Sequence, residues 1–234
     1  MPVNDPALVR EQYAREDNLR ARRALYEEKE GPDAREALWD AVVALRPRRV
    51  LEVGGGPGEL AERMQRELGA DVRFVDISPR MVELARGRGV EAQVADVQAL
   101  PFADASFDVV VAAWMLYHVP DLDRGLGEIE HVLEPGGALV AITNSVDHLR
   151  ALRELVSCPG GFESAFSREN GDEHLRRHFG RVERRDVECS VIVRDRAKLV
   201  AYRDSLSVGA AEVPEHVELP FVVHARSSVF IART

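Results

Sequence analysis

The sequence predicts an α/β protein built around one mostly parallel β-sheet, and three observations support that prediction. Short apolar segments that suit buried strands alternate with amphipathic segments that suit helices between residues 49 and 142. The segment 107–113 is continuously apolar after Asp108, which is typical of a parallel strand buried on both faces. A glycine-rich turn joins the first strand of this region to its first helix, and such turns bind ligands at the ends of parallel strands.

Composition narrows the class of protein. The chain has 234 residues with 45% apolar content, which is enough for one sizeable core, so we predict one domain over residues 1–234. The formal net charge of −9 argues against non-specific binding to nucleic acid or anionic membranes. The cysteines, Cys158 and Cys189, predict no disulfide framework, and no residues show the spacing of a metal site. Because no signal peptide or membrane span is evident, we expect a cytoplasmic protein.

Residues 1–45 precede the first strand and are predicted to form a helical cover. Two helices are expected, over 6–30 and 33–45, because Gly31-Pro32 breaks the pattern between them. Asp33 predicts the N-cap of the second helix, with Glu36 three residues further on. The first helix is too polar for the core, so it either lies across a binding site or is a solvent-exposed terminal helix.

The segment 46–145 is predicted to form the ligand-binding core. Its strands are expected at 49–53, 71–75, 90–95, 107–113 and 138–142. Its helices are expected at 58–68, from Ser78-Pro79 onward, and at 122–133, with right-handed crossovers. An insertion is expected over 146–181, and residues 182–234 should complete the sheet with strands at 185–193 and within 221–232.

The candidate chemistry begins at the turn after the first strand. Its sequence is Glu-Val-Gly-Gly-Gly-Pro-Gly, with Glu52 near the strand end and glycines at Gly54, Gly56 and Gly58. Such glycines permit positive φ and close approach of a ligand, and the helix that follows directs its free N–H groups at the turn. Dinucleotide-binding, methyltransferase and nucleotide-binding turns share this form. Glu52 would repel a pyrophosphate but would suit a sulfonium and amino-acid ligand.

Two further acidic residues follow the next two strands. Asp76 lies about twenty residues past the turn, where its paired carboxylate oxygens suit two ribose hydroxyls of either a dinucleotide or an adenosine ligand. Asp96, followed by Val97, suits the exocyclic amine of adenine. Ligands of open α/β sheets bind beyond the carboxyl ends of the strands, so Glu52, Asp76 and Asp96 should line one site.

Taken together, these motifs resemble those of the class I S-adenosylmethionine (SAM) dependent methyltransferases, including those of ubiquinone and menaquinone biosynthesis. The turn resembles their motif I, residues 101–110 are similar to their LPF-x-D-x-SFD segment, and residues 115–119 resemble their motif after the fourth strand. Residues 133–139 resemble their L-x-PGG-x-L turn. The resemblance implies a Rossmann-like sheet of seven strands in the order 3-2-1-4-5-7-6, with strand 7 antiparallel. It also implies SAM as cofactor and S-adenosylhomocysteine as product.

The resemblance further implies roles for individual residues. His118, just beyond the fourth strand, is the candidate general base, with shaping of the loop as its alternative role. Tyr26 is expected to pack the first helix against the protein, with contact to cofactor or substrate as its alternative role. Cofactor contacts are expected from Glu52, Gly54, Gly56, Gly58, Asp76, Ile77, Met81, Asp96, Val97, Ala113 and Trp114. Acceptor contacts are expected from Tyr13, Tyr117, His118 and His148, and the resemblance places the insertion over 146–181 near the acceptor pocket.

The leading hypothesis is a methyltransferase that acts on an O, N or C nucleophile of a small molecule. Positioning of donor and nucleophile supplies much of the rate of such an in-line displacement. Three alternatives stay open: an RNA or protein methyltransferase of the same fold, a dinucleotide-dependent oxidoreductase, and a non-catalytic SAM-binding module. We expect no nucleic-acid partner and no metal, and a monomer or homodimer. The sequence does not identify the acceptor.

Overall fold

The structure is a computed structural model that describes residues 17–156, 164–206 and 210–234. Its framework is an eight-stranded sheet in the order β1-β7-β8-β6-β5-β2-β3-β4. The strands are β1 Lys29–Glu30, β2 Arg49–Val53, β3 Asp71–Asp76, β4 Glu91–Val94, β5 Phe107–Ala113, β6 Leu133–Asn144, β7 Arg181–Val193 and β8 Phe221–Arg233. The helices are α1 Asp17–Ala24, α2 Ala34–Leu45, α3 Glu59–Leu68, α4 Pro79–Gly87, α5 Leu122–Val132, α6 Arg150–Leu155, α7 Gly171–Leu175 and α8 Arg196–Asp204. Two 3-10 helices span Leu25–Glu27 and Leu116–His118.

The α/β class and the parallel centre of the sheet are confirmed. β2 pairs in parallel with β3 and β5, β3 pairs in parallel with β4, and β5 with β6. β8 runs antiparallel between β6 and β7, as expected for the last strand. Without β1, the order of the strands is the predicted 3-2-1-4-5-7-6. None of the described helices is long and apolar enough to cross a bilayer.

The additional strand comes from the segment that was predicted to be helical up to residue 30. Within the described residues α1 ends at Ala24, and Lys29 and Glu30 pair antiparallel with Val191 and Ser190 of β7. The Ile192 N–H also donates to the Glu28 carbonyl at 3.0 Å. α1 is short and buries none of its residues completely, so packing does little to extend the helix beyond Ala24. The backbone groups at the edge of β7 therefore decide the conformation of the residues that follow.

Two hydrophobic clusters cover the two faces of the sheet. Successive residues of a strand point to opposite faces, so Val50 packs with α2, α3 and α4 while Leu51 packs with α5. The same alternation places Val109 and Val110 on opposite faces, which explains why β5 is apolar at consecutive positions. As predicted, Asp33 caps α2 by accepting from the Arg35 N–H at 2.8 Å.

A third cluster lies beyond the carboxyl end of β6. β6 pairs with β8 only as far as Asn144 opposite Ser227, whereas β7 continues along β8 to Val193 opposite Phe221. Residues 188–193 and 221–226 therefore project past the parallel sheet. We call the cluster that covers this projection the cap; its buried members are Leu25, Leu149, Leu152, Val156, Val191, Val193, Leu199, Tyr202, Val213, Val223 and Ala225. The cap lies at the ligand-binding end of the sheet.

Candidate active site

The turn between β2 and α3 is shaped by Gly54, Gly56 and Gly58, whose φ angles are 62°, 61° and 78°. A Cβ atom at Gly58 would lie 2.7 Å from the Ala85 Cβ, and one at Gly54 would lie 2.9 Å from the Met115 Cβ, so both glycines permit close packing. A Cβ atom at Gly56 would meet only Leu19, at 3.9 Å, among the described residues. Gly56 therefore faces a space that a ligand can occupy.

Glu52 lies beneath this turn with 0% of its surface exposed. Neither of its carboxyl oxygens has a hydrogen-bond partner among the described residues. Burial raises the pKa of Glu52 to about 8; the Ala61 backbone N–H opposes this shift without making a hydrogen bond, and the charge of Asp76 adds to it. Burial of a polar group without a partner is costly, and a ligand that brought a positive charge or hydrogen-bond donors to Glu52 would remove that cost.

The sequence prediction omitted Gly55, the central glycine of the turn. A Cβ atom there would lie 2.3 Å from the Glu52 Cδ and 2.6 Å from the Phe74 Cε2. Both contacts are shorter than side chains tolerate, so only glycine allows the turn to close over the buried carboxyl. The sequence does contain a signal for Gly55, because it lies within a run of three consecutive glycines. The predicted motif has a glycine only at every second position, so it does not account for this run.

Asp76 ends β3 and joins the turn to the start of α4. Its Oδ2 accepts from the Gly56 N–H at 3.3 Å and its Oδ1 from the Ser78 N–H at 2.8 Å. The residue is 8% exposed, and burial raises its pKa to about 6 although the backbone N–H groups of Ser78 and Gly56 oppose the shift. Each carboxylate oxygen keeps a lone pair with which a ribose hydroxyl could bond.

The other residues predicted to contact adenosine differ in exposure. Asp96 is half-buried and accepts from the backbone N–H of Gln98 at 2.9 Å and from its side-chain amide at 3.0 Å. Ile77 is also half-buried. By contrast, Met81 is 1% exposed and Val97 is 6% exposed, so both side chains pack in the protein interior.

The carboxyl end of β5 lies beside the turn, because Ala112 pairs with Val53. Trp114 follows Ala113 with a φ of 53°, and its indole Nε1 donates to the Asn144 Oδ1 at 3.0 Å. Ser227 donates to the same oxygen at 2.8 Å. An indole nitrogen can only donate, so the amide oxygen must face it and the ring is held in one orientation. Asn144 belongs to none of the recognised motifs, and the sequence prediction missed it.

His118 and Tyr117 lie in the 3-10 helix after β5, with their ring centroids 4.4 Å apart. The packing of Met115 beneath Gly54 brings the start of this segment against the glycine turn. Both rings are half-buried. The structure thus places the two predicted residues at the ligand-binding end of the sheet, on the side towards β6.

His148 makes different contacts from those predicted. Its Nε2 lies 2.6 Å from the Tyr26 hydroxyl, and its Nδ1 lies 2.9 Å from the carbonyl oxygen and 3.0 Å from the amide nitrogen of Arg226. Burial lowers the pKa of His148 to about 4 and raises the pKa of Tyr26. In either neutral tautomer, both ring nitrogens bond to groups of the protein. In this arrangement, neither nitrogen is therefore available to contact a methyl acceptor. Tyr13 lies outside the described residues.

A parallel centre in this strand order, with the ligand turn after its first strand and an antiparallel last strand, is the architecture of the class I SAM-dependent methyltransferases. Comparison with known proteins agrees with this architecture. Residues 51–141 match the family described as methyltransferase domain. Over this segment, which is less than half of the chain, the sequence is therefore similar to a methyltransferase domain, and the cofactor of this class is SAM.

Similar sequences include enzymes of quinone biosynthesis. The demethylmenaquinone methyltransferase of Thermus thermophilus is 38% identical over 110 residues, which are 44% of this chain and 50% of that protein. The methyltransferase GfsG of Streptomyces halstedii is 38% identical over 112 residues, which are 44% of this chain and 40% of that protein. The chain thus spans about half the length of these curated relatives.

Solved structures share the fold. The YcgJ protein of Bacillus subtilis superposes with a TM-score of 0.60 at 17% identity and covers 86% of this chain and 98% of its own. A phosphoethanolamine N-methyltransferase of Haemonchus contortus, solved with phosphomonomethylethanolamine and S-adenosylhomocysteine, superposes with a TM-score of 0.59 at 23% identity over 76% of this chain and 46% of its own. At such identities these likenesses establish the fold alone.

Proposed function

We propose that the protein transfers a methyl group from SAM to a small-molecule acceptor. The main support for this proposal is the environment of Glu52. Its carboxyl is fully buried without a hydrogen-bond partner among the described residues, beneath a glycine turn in the segment that matches a methyltransferase domain. The α-ammonium group of SAM would supply the missing positive charge and hydrogen-bond donors. A dinucleotide pyrophosphate at this turn would instead bring negative charge towards Glu52, which counts against an oxidoreductase.

When bound, SAM supplies a methyl group on a sulfonium, whose positive charge is lost as the methyl is transferred. We assign Glu52 and the turn at Gly54, Gly56 and Gly58 to its methionine portion. Asp76 would accept hydrogen bonds from the ribose hydroxyls and Asp96 from the adenine amine. The less polar surfaces of the cofactor would contact Ile77, Met81, Val97, Ala113 and Trp114.

The acceptor would approach from the side of β5 and β6. We propose that His118 takes the proton of an acceptor that arrives protonated, because it follows β5 at the ligand-binding end of the sheet. Tyr117, Tyr13 and His148 are proposed to bound the acceptor; for His148 this would require breaking its contact with Tyr26. The indole of Trp114, oriented by Asn144, provides a rigid neighbouring wall.

A small molecule is the acceptor class that the chain favours. The net charge of −9 disfavours an extended contact with RNA. The names of the similar proteins are consistent with this class, since they include a demethylmenaquinone methyltransferase and a phosphoethanolamine N-methyltransferase. We accordingly propose a cytoplasmic enzyme of one domain, as monomer or homodimer, that acts without a nucleic-acid partner.

Calorimetry with SAM, S-adenosylhomocysteine and NAD tests the cofactor. We expect both adenosyl ligands to bind and NAD not to bind. Gly56→Ala should weaken the binding of SAM because its methyl group would project into the ligand space. Gly69→Ala is the matched control: its φ of 65° imposes similar backbone strain, but nothing lies within 4 Å of its added Cβ. Binding of NAD without SAM would contradict the proposal.

Radiolabelled SAM tests the acceptor. The intact protein is incubated with a small-molecule extract, with total RNA and with a protein fraction, each at moderate salt. Label is expected in the small-molecule fraction. Label confined to RNA or protein would contradict the proposed acceptor class, and cofactor binding without transfer to any fraction would favour a non-catalytic SAM-binding module.

A further inference from the structure

Helix α1 lies beside the glycine turn and the start of α3, and two of its residues make the contacts. Leu19 is the described neighbour of Gly56 on its open side. Arg23, four residues later and therefore on the same face of the helix, reaches Glu59, the first residue of α3, with a distance of 2.5 Å between Nη1 and Oε2. The guanidinium group thus lies beside the start of the helix that the turn leads into.

Three guanidinium groups lie around the Glu59 carboxylate. This carboxylate is shared by Arg23 and, at 3.6 Å, by Arg88, which also pairs with Glu62 at 2.8 Å. A third guanidinium, that of Arg35, interacts electrostatically with Arg23 and Glu59 but makes no ion pair or side-chain hydrogen bond among the described residues. Arg35 also interacts with Asp33, so three arginines and three carboxylates make up this cluster.

One donor of Arg23 also lacks a partner. Its Nε is buried and makes no hydrogen bond among the described residues. Leaving a buried donor unpaired is costly, and more so on a charged group. The unpaired donor therefore belongs to a positively charged side chain next to the turn. An anionic group of a ligand held there would supply the acceptor that this donor lacks.

We propose that Arg23 binds the carboxylate of SAM. The amino-acid end of SAM carries an ammonium and a carboxylate, and the turn offers an acid beneath it, Glu52, and a guanidinium above it, Arg23. A planar guanidinium matches a carboxylate with two parallel hydrogen bonds. Arg23 would thereby become the link through which α1 closes over the cofactor. This inference rests on the proposed function.

Decarboxylated SAM is the probe, because it keeps the adenosine, the sulfonium and the ammonium and lacks only the carboxylate. We expect the wild-type protein to bind SAM roughly 10- to 100-fold more tightly than decarboxylated SAM. Arg23→Gln should bring this ratio close to one, and Arg23→Lys should restore part of it. Arg20→Gln, which removes the same charge from an exposed position of α1, should leave the ratio unchanged.

The ratio separates ligand recognition from a structural role. If Arg23 only holds α1 against Glu59, Arg23→Gln will weaken both ligands equally and keep the ratio, which would overturn the proposal. A wild-type protein that binds both ligands equally would also overturn it and leave the proposed function intact. Failure to bind either ligand would refute the proposed function, and this inference with it.

Discussion

The glycine turn and the cap both contain buried ionisable side chains, but they satisfy them differently. At the turn, Glu52 has no hydrogen-bond partner among the described residues, and its pKa is raised to about 8. In the cap, the two ring nitrogens of His148 are engaged by Tyr26 and by the backbone of Arg226. Burial lowers the pKa of this histidine to about 4, so it is neutral and hydrogen-bonded at physiological pH.

The two regions therefore differ in how far they depend on a ligand. A buried group that is fully hydrogen-bonded stabilises the fold by itself, whereas an unpaired one costs stability until a ligand provides the partner. The turn is therefore expected to lower the free energy of unfolding of the ligand-free protein, and the cap is expected to raise it. Changes in the turn should separate stability from affinity, and changes in the cap should affect stability first.

The largest expected effect is a gain in stability from Glu52→Gln. The folded protein raises the pKa of Glu52 from 4.5 to about 8, so the neutral carboxyl is favoured in the fold. Its contribution is complete below pH 4.5 and is lost as the pH rises towards 8; by pH 7 the loss is about 3 kcal/mol. Glutamine does not titrate, so urea unfolding at pH 5 and pH 7 should show the variant gaining about this amount relative to wild type.

The matched control for this variant is Glu67→Gln at the exposed end of α3, which should show no such change with pH. Glu52→Gln should also bind SAM more weakly, because the amide lacks the charge for the ammonium. If the free energy of unfolding depends on pH in the same way in wild type and variant, Glu52 is not protonated in the folded protein. The proposed difference between the turn and the cap would then be wrong.

The next effect is the loss of stability expected from Gly55→Ala. The added methyl group would overlap the Glu52 carboxyl and the Phe74 ring, and overpacking of this kind costs about 2 kcal/mol. Gly87→Ala at the end of α4 is the control, since nothing lies within 4 Å of its added Cβ. Thermal unfolding should show a lower midpoint for Gly55→Ala only; equal midpoints would mean that the turn can relax away from Glu52.

The turn was predictable from sequence because its geometry is encoded locally. The positions of Glu52, Gly54 and Asp76 lie within 25 residues, and Ser78-Pro79 indicates the next helix start without tertiary information. Ser78 does accept from the Met81 N–H at the start of α4. The parallel strands were equally readable, since burial on both faces leaves a continuous apolar run.

The contacts of the cap were not predictable because they join distant residues. Tyr26 and His148 are 122 positions apart, and neither belongs to a periodic apolar pattern. β1 forms where the edge of β7 offers backbone partners, which the polar sequence of residues 27–30 does not indicate. Arg23 is one of several arginines in α1, and only the position of Glu59 distinguishes it from its neighbours.

A smaller effect is expected in the pH dependence of SAM binding. Burial raises the pKa of Asp76 to about 6 in the free protein, and ribose hydroxyls donate more strongly to a carboxylate than to a carboxylic acid. The contribution of Asp76 to the affinity should therefore be complete above pH 7 and fall about tenfold by pH 5, as its ionised fraction falls. The ionisation of Glu52, whose pKa is about 8, adds a second pH dependence that wild type and Asp76→Asn share. Asp76→Asn should bind weakly without the tenfold fall; calorimetry that finds the same pH profile in both proteins would exclude Asp76 as its source.

The smallest effect belongs to Tyr26→Phe in the cap. The change removes one hydrogen bond and leaves the His148 Nε2 without its partner, at a cost of about 1 kcal/mol. If the cap is structural, urea unfolding should detect this loss while the affinity for SAM changes less than twofold. A double-mutant cycle with His148→Ala should assign most of the loss to their mutual contact. A variant with unchanged stability but reduced methyl transfer would instead mean that Tyr26 acts on the acceptor, and the division between a stabilising cap and a ligand-dependent turn would be wrong.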